Sequence, residues 1–482
     1  MTDSSAPRYQ SPLSSRYASP GMQHLWSERH KIGLWRRIWL ALMEAERDLG
    51  LAIPKAAVAE LAAHLDDCDL ARAAEFERRF RHDVMAHVHA LGEQAPTARP
   101  YLHLGATSAF VTDNADLMVM RDGLRLLLGR LVALSRALGQ FAERYAALPC
   151  LAYTHFQPAQ LTTVGKRATL WAQDFALDVE AMIHLVGTMR ARGCKGTTGT
   201  QASFLELFHG DHGKVRALDA AVTQRLGFAA SFPVTGQTYS RKADSAILDV
   251  LSGIAQSASK MAADLRLLQH EGELLEPFES EQIGSSAMAY KRNPMRAERI
   301  NALGRFVISL AANTAHTAAS QWLERTLDDS ANRRLTLPEA FLATDAILIL
   351  ATNVVTGLEV RETVIARHVA LQMPFMATER WMMLGVEAGG DRQALHEVIR
   401  LASHAVASQV SEGGANDLLE RLAGAPEFAA VDPARLRAEL TPSRYVGRAP
   451  EQTLEFLTEF LHPLLAGAAP LAHEASAAEI RV

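Results

Sequence analysis

The chain has 482 residues, a net charge of −5, a hydrophobic fraction of 48% and a charged fraction of 21%. These values are typical of a soluble globular protein with two or three sub-domains, and they exclude collagen-like or largely disordered chains. The negative net charge excludes a global positive field that would hold nucleic acid or an anionic membrane, so any anionic ligand must be bound by a local basic cluster.

The N-terminal segment, "MTDSSAPRYQSPLSSRYASPG", contains no apolar core of the kind found in secretory signals or membrane anchors. The three cysteines, Cys68, Cys150 and Cys194, are odd in number and widely spaced. Such spacing favours reduced thiols over a disulfide framework or a zinc site. We therefore predict a cytoplasmic protein.

Four long stretches have the apolar spacing of α-helices. They cover residues 117–141, 163–190, 247–268 and 300–311, and the first has a candidate cap at Thr112 or Asp113. Period-two alternation is nearly absent. The pattern predicts an all-α fold with a central bundle of long helices.

Glycine-rich and polar turns suggest where this bundle begins and ends. We predict an N-terminal helical domain at residues 1–111, the central bundle at 112–364 and a C-terminal helical domain at 365–482.

The stretch "RHDVMAHVH" brings His82, His87 and His89 close together. Its spacing does not match H-E-x-x-H, and no cysteine or carboxylate lies at a characteristic offset. On a helix, His82 and His89 share a face. A polar or solvated face is favoured over a metal site, and we predict no metal.

Two later loops also contain polar groups. In "YTHFQPAQLTTVGKR", the proline after His155 places this imidazole in a turn before a helix, where it can face a cavity or decorate the surface. The loop "GCKGTTGTQASF", residues 193–204, offers backbone N–H groups to an anion or simply ends a helix. Neither G-x-G-x-x-G nor a complete P-loop is present, which argues against nucleoside triphosphate chemistry.

The stretch "ERTLDDSANRR" is the best local candidate for an anion site, because Arg325, Arg333 and Arg334 flank Ser330. Arginine forks bind phosphate and carboxylate groups in a bidentate manner. The alternative is a helix start capped by an aspartate, with the arginines in water.

The most unusual stretch is "GSSAMAYKRNP", residues 284–294. It places hydrogen-bonding groups on a loop just before a helix that begins after Pro294. Such a loop can present donors to a carboxylate.

This stretch resembles the signature loop, G-S-S-x-x-P-x-K-x-N-P, of the fumarase, aspartase, argininosuccinate lyase and adenylosuccinate lyase superfamily. Further blocks, among them "SPLSSRYASPGM", "HLGATSAFVTDN", "TGQTYSRK", "PFMATE" and "GRAPEQ", resemble the animal-type adenylosuccinate lyase branch. They run in order over nearly the whole chain. The resemblance implies a three-domain homotetramer with sites shared between subunits.

The resemblance also implies a cofactor-independent elimination of fumarate from two nucleotides. These are adenylosuccinate, which gives AMP, and the succinyl-carboxamide imidazole ribotide SAICAR, which gives AICAR. It implies no nucleic-acid or membrane partner. Another fumarate-releasing lyase of the superfamily, similar to argininosuccinate lyase, and a non-catalytic relative are the alternatives.

Residue roles follow from matching positions in the family's motifs. The resemblance implies that Ser285 is the base, that Lys291 and Asn293 stabilise the intermediate, and that His155 is the general acid oriented by Glu298. It implies substrate contacts at these positions: Arg16, Tyr17, Arg81, His82, Asp83, His103, Thr107, Ser108, Thr154, Gln237, Arg299, Arg325, Ser330 and Arg334. One departure is Ala289, where the family has proline, and it removes a φ constraint from the loop.

Overall fold

The computed structural model describes residues 9–473, so the first eight residues and the last nine lie outside the described part. The described chain is mostly helical, as the apolar spacing predicts. Its α-helices α1 to α18 span Pro20–Leu25, Glu28–Asp48, Lys55–Ala63, Leu70–Phe80, Asp83–Gln94, Ser108–Arg144, Val164–Thr188, Ala202–Leu207, His212–Arg225, Lys242–His270, Met295–Ala319, Asp328–Thr356, Glu362–Glu387, Arg392–Ser411, Leu418–Ala423, Pro433–Ala438, Ala449–Glu455 and His462–Ala468.

Two small antiparallel pairs of strands correct the all-α prediction. Strands β1 (Pro149–Thr154) and β2 (Gln157–Thr163) form a hairpin, and strands β3 (Leu274–Leu275) and β4 (Glu359–Val360) form a short bridge between distant segments. The hairpin lies between α6 and α7, where no period-two pattern marks it. The protein is therefore predominantly rather than entirely helical.

The long helices α6, α7, α10, α11 and α12 form the bundle. Helix α10 packs against α11, α7 and α12, while α6 packs against α7 and α12. A β-carbon added to Gly304 of α11 would lie 2.1 Å from Ser259 Oγ of α10. Small residues therefore allow the close approach of these two helices.

The predicted domain boundaries both fall near the start of a helix. Residue 112 lies in the second turn of α6, and residue 365 lies in the first turn of α13. The division into three domains stays a prediction.

Helix α12 is apolar and long enough to cross a membrane, and no other helix in residues 9–473 meets that test. However, 72% of its most apolar window is buried inside the protein. Asp345 of this helix also forms a buried ion pair with Arg130 of α6 and accepts the Ser19 N–H at 2.7 Å. These contacts are those of a core helix.

Glu46 of α2 gives a testable dependence of stability on pH. The side chain is fully buried, and neither carboxylate oxygen has a hydrogen-bond partner among residues 9–473. Burial raises the pKa of Glu46 from 4.5 to about 8. The folded state therefore holds a proton that the unfolded state releases between these values, so this residue lowers stability as the pH rises from 4.5 to 8.

We expect Glu46→Gln to raise the melting temperature at pH 8 and to change it much less at pH 5, where Glu46 of the folded protein is protonated and neutral. The substitution should increase the unfolding free energy by roughly 2–4 kcal/mol more at pH 8 than at pH 5. Calorimetry at the two pH values measures it, with the exposed Glu397→Gln as a control. Equal effects at both pH values would contradict the prediction.

Candidate active site

One cavity of about 630 Å³ brings together eight of the predicted substrate-binding residues. They come from four separate segments of the chain. The eight residues are Arg81, His82, Asp83, Ser108, Gln237, Arg325, Ser330 and Arg334. The fold therefore collects into one place residues that lie up to about 250 positions apart.

The turn between α4 and α5 directs three of these side chains into the cavity. Arg81 ends α4 in the left-handed conformation, with φ = 57°, and His82 caps α5 by accepting the Met85 N–H at Nδ1, at 3.3 Å. His82 Nε2 lies 3.3 Å from Ser108 Oγ at the start of α6. Asp83 accepts from Arg334 at 3.1 Å, so this ion pair joins the turn to α12.

A buried ionic network forms the floor of this cavity. Arg241 donates to Asp329 at 2.7 Å and to Asp113 at 3.1 Å, while Arg333 donates to Asp244 at 2.7 Å. From the sequence, Arg333 was considered for an anion site, and Asp113 and Asp329 were considered only as helix caps, so the ion pairs of this network were not predicted. The local sequence gives little signal for this network, because its carboxylates lie in polar stretches near the starts of α6, α10 and α12, where charged side chains are ordinarily exposed.

Two guanidinium groups at this cavity have N–H groups to spare. Arg241 Nη1 and Arg325 Nη1 are buried and have no hydrogen-bond partner among residues 9–473, although Arg325 Nη1 lies 3.6 Å from Asp329. A buried donor without an acceptor is costly, and a guanidinium group binds phosphate or carboxylate strongly. These two buried nitrogens are not accessible from the cavity, but the exposed side chains of Arg81 and Arg334 also line it and can bind an anionic ligand.

The signature loop lies outside this cavity and is closed at its base. Asn293 Nδ2 donates to the Gly284 carbonyl at 2.7 Å. A β-carbon on Gly284 would lie 2.2 Å from the Lys291 carbonyl oxygen, so glycine is needed where the two ends meet. Ser285 Oγ accepts the N–H groups of Met288 at 3.1 Å and Ala287 at 3.4 Å.

Glu276 holds the start of α11 beneath the loop. It is buried, and its two carboxylate oxygens accept the N–H groups of Arg296 and Ala297, each at 3.1 Å. This is the capping function that the helix lacks at Pro294. Glu298 and Arg299 follow in the same turn, and sequence reasoning missed the residue that anchors them.

His155 and Thr154 lie at the exposed tip of the β1–β2 hairpin. Thr154 pairs with Gln157, and both His155 (φ = 53°) and Phe156 (φ = 58°) are left-handed, as in a type I′ turn. The sequence correctly predicted a turn, but this turn joins two strands and is separated from α7 by β2. His155 does not line the cavity.

The remaining predicted substrate-binding residues lie in two other regions, one around the N-terminal turn and one just before α6. Arg299 of α11 lies over the ring of Tyr17 at 5.5 Å, and Arg16 precedes Tyr17 in one helical turn at the N-terminus. Thr107 precedes α6, and His103 accepts a hydrogen bond from Trp39. Within one chain, therefore, the predicted binding cavity lies apart from the predicted catalytic residues, which are on the signature loop and on the β1–β2 hairpin.

Comparison with known proteins decides the family. A lyase family model matches residues 27–309, and a model of the adenylosuccinate lyase C-terminus matches residues 374–456. Adenylosuccinate lyase of Schizosaccharomyces pombe is 49% identical over 462 residues, which cover 95% of this chain and 96% of that protein. The chain belongs to the adenylosuccinate lyase family.

Two further similarities agree with this membership. Adenylosuccinate lyase of Saccharomyces cerevisiae is 51% identical over 453 residues, covering 93% of this chain and 94% of that protein. The crystal structure of a 3-carboxy-cis,cis-muconate lactonizing enzyme from Pseudomonas putida aligns with a TM-score of 0.79 at 23% identity, covering 96% of this chain and all of the other. The latter similarity concerns the fold alone. The sequence-based resemblance to the adenylosuccinate lyase family is confirmed.

Residues 9–473 contain no group of three or more His, Cys, Asp or Glu side chains arranged to hold a metal ion. The three histidines of "RHDVMAHVH" take separate roles. His82 caps α5, His87 packs edge-on against Trp35, and His89 packs against Phe76 and Phe80.

For this member of the adenylosuccinate lyase family, we expect Arg334→Ala to raise KM about 10- to 100-fold with a smaller change in kcat. The prediction assigns Arg334 to an anionic substrate group, and the substitution would remove that charge-assisted hydrogen bond. Steady-state kinetics measures the effect. Arg400→Ala, which removes an exposed arginine paired with Glu397 on α14, is the control and should leave KM unchanged. An unchanged KM in Arg334→Ala would place the anionic group elsewhere.

Proposed function

We propose that the protein eliminates fumarate from adenylosuccinate, giving AMP, and from SAICAR, giving AICAR. The near-complete alignment with yeast adenylosuccinate lyases at about half identity carries this proposal. The cavity, which is lined by Arg81, Arg325 and Arg334, supports it, because both substrates have a phosphate and two carboxylates.

The proposed reaction begins with removal of a proton from the succinyl carbon beside a carboxylate. This step places two negative charges on one carboxyl group, and we assign their stabilisation to Lys291 and Asn293. Ser285 is the proposed base. Its oxygen already accepts two backbone N–H groups, and hydrogen bonds to the charged form of a group favour that form. These contacts favour the Ser285 alkoxide, which takes up the succinyl proton and becomes the hydroxyl.

In the second step the C–N bond breaks, and its electron pair leaves with the nitrogen. We assign protonation of that nitrogen to His155, oriented by Glu298. The elimination neither oxidises nor reduces the substrate, so its chemistry requires no redox cofactor. The cation–π pair of Arg299 and Tyr17 supports a further substrate-binding contribution from the N-terminal turn.

We propose that the active unit is a three-domain homotetramer whose sites combine residues from several subunits. The distribution of predicted residues over separate parts of one chain supports this proposal. Large apolar side chains on and near the signature loop also support it, because Tyr290 is 84% exposed and Ile283 78% exposed. Exposed clusters of this kind are typical of protein interfaces.

We infer a cytoplasmic location. The three cysteines are free and buried, which supports a reducing compartment.

The direct test incubates the purified protein separately with adenylosuccinate, SAICAR and argininosuccinate and measures fumarate. We expect fumarate from the first two substrates only. Fumarate from argininosuccinate alone would favour another lyase of the superfamily. Nucleotide binding without fumarate release would favour a non-catalytic relative.

A further inference from the structure

A buried tryptophan determines which nitrogen of His103 carries the proton. Trp39 of α2 is almost fully buried, and its indole N–H donates to His103 Nδ1 at 2.9 Å. An indole nitrogen donates and cannot accept, so Nδ1 must be the unprotonated acceptor. In the neutral imidazole the proton is then on Nε2.

The surroundings of His103 maintain this neutral form. Burial, followed by the nearby His82, lowers the pKa of His103 from 6.5 to about 4. Protonation of Nδ1 would also break the bond to Trp39. In addition, His103 has φ = 61°, a left-handed conformation that is uncommon for a residue with a side chain and that is found often at functional sites.

His82, which lines the predicted substrate cavity, also accepts a hydrogen bond at Nδ1, but from a backbone N–H instead of an indole. Its Nδ1 accepts the Met85 N–H, so the neutral ring has its proton on Nε2, which faces Ser108 Oγ at 3.3 Å. Both histidines therefore use Nδ1 for a contact within the protein. Each keeps Nε2–H as the group for further contacts. His82 lines the cavity, whereas His103 does not line it but lies near enough to His82 for an electrostatic interaction.

We propose that Trp39 is a positioning residue for the elimination reaction: its indole N–H holds His103 in the Nε2–H tautomer, so that His103 gives the substrate an uncharged hydrogen-bond donor. This inference rests on the proposed function. The ligand group that it addresses is an anionic oxygen, a carboxylate or phosphate oxygen of the nucleotide. Arginines at the cavity supply charge, whereas a tautomerically fixed imidazole supplies one directed N–H.

The chain provides a matched control one helical turn away. Trp35 is also buried on α2, but its indole N–H has no partner among residues 9–473. Trp35→Phe and Trp39→Phe therefore remove similar apolar volume. Only the second removes a hydrogen bond to His103.

The test measures ¹⁵N NMR spectra of full-length protein labelled at histidine, with His103 assigned by its absence in His103→Gln. In the wild type and in Trp35→Phe we expect unprotonated Nδ1 and protonated Nε2. In Trp39→Phe we expect a mixture of tautomers, and kcat/KM should fall about tenfold, the usual effect of one lost hydrogen bond. Trp35→Phe should stay within about twofold of wild type.

Three outcomes would overturn the proposal. They are a wild-type spectrum with protonated Nδ1, an unchanged tautomer in Trp39→Phe, and an equal loss of kcat/KM in the two tryptophan variants, which would indicate a packing effect. The wild-type spectrum decides the tautomer even if a variant does not fold. Failure of the proposed function is distinguishable, because the wild-type protein would then release no fumarate whatever the spectrum shows.

Discussion

Replacing Ser285 with alanine should abolish fumarate release, with kcat falling by at least about 10³-fold, because it removes the group proposed to accept the succinyl proton. The affinity for the nucleotide should change little, since the hydroxyl acts on the transferred proton rather than on ground-state binding. Single-turnover kinetics and equilibrium binding of adenylosuccinate measure the two effects separately.

The adjacent serine is the matched control. Ser286 is exposed on the same loop, whereas Ser285 is partly buried and accepts the N–H groups of Ala287 and Met288. Ser286→Ala should therefore retain most of the activity. Near-normal turnover in Ser285→Ala would show that Ser285 is not the base, and equal losses in both variants would indicate a change in loop structure.

Mixing two inactive variants should restore activity if subunits share sites. His155 lies on the β1–β2 hairpin, whereas Ser285 lies on the loop before α11, and helices α7 to α10 separate the two in sequence. Suppose that His155→Ala and Ser285→Ala chains mix randomly in equal amounts in a closed tetramer. A site that takes the histidine and the serine from different chains is then intact in about a quarter of cases.

The recovered activity after co-refolding should therefore approach a quarter of the wild-type activity. A mixture of Ser285→Ala with Lys291→Ala is the control, because both residues belong to one loop and no loop in the mixture is intact. It should stay inactive. If chromatography detects mixed tetramers of the first pair that remain inactive, His155 and Ser285 act from one chain and the shared-site proposal is wrong.

Local patterns were sufficient for the long helices. Helices α10 and α11 contain their predicted stretches, and α7 is shorter than its predicted stretch of 163–190 by one residue at its start and two at its end. The agreement arises because burying one face of a helix requires apolar residues at a helical period. The predicted start of α6 was less accurate. The helix begins at Ser108, and Asp113, a predicted cap, instead accepts the Tyr239 N–H at 3.0 Å and a hydrogen bond from Arg241.

The β1–β2 hairpin could not be predicted in the same way. Type I′ turns favour glycine and asparagine at their two central positions, but this turn has His155 and Phe156 there. Its strand β2 contains Pro158 and is largely exposed, so it lacks the alternating pattern of a half-buried strand. The local sequence therefore gives little indication of this hairpin.

The sequence by itself determined the helical class, the signature loop and the family, because periodicity and motifs are properties of neighbouring residues. Only the tertiary structure decided which side chains meet. Arg81, Ser108 and Arg334 reach one cavity because the ends of α4, α6 and α12 meet there. In the same region Arg241 is buried between Asp113 and Asp329. Such contacts depend on how helices pack against one another, and no local pattern encodes a pairing between residues 88 or 128 positions apart.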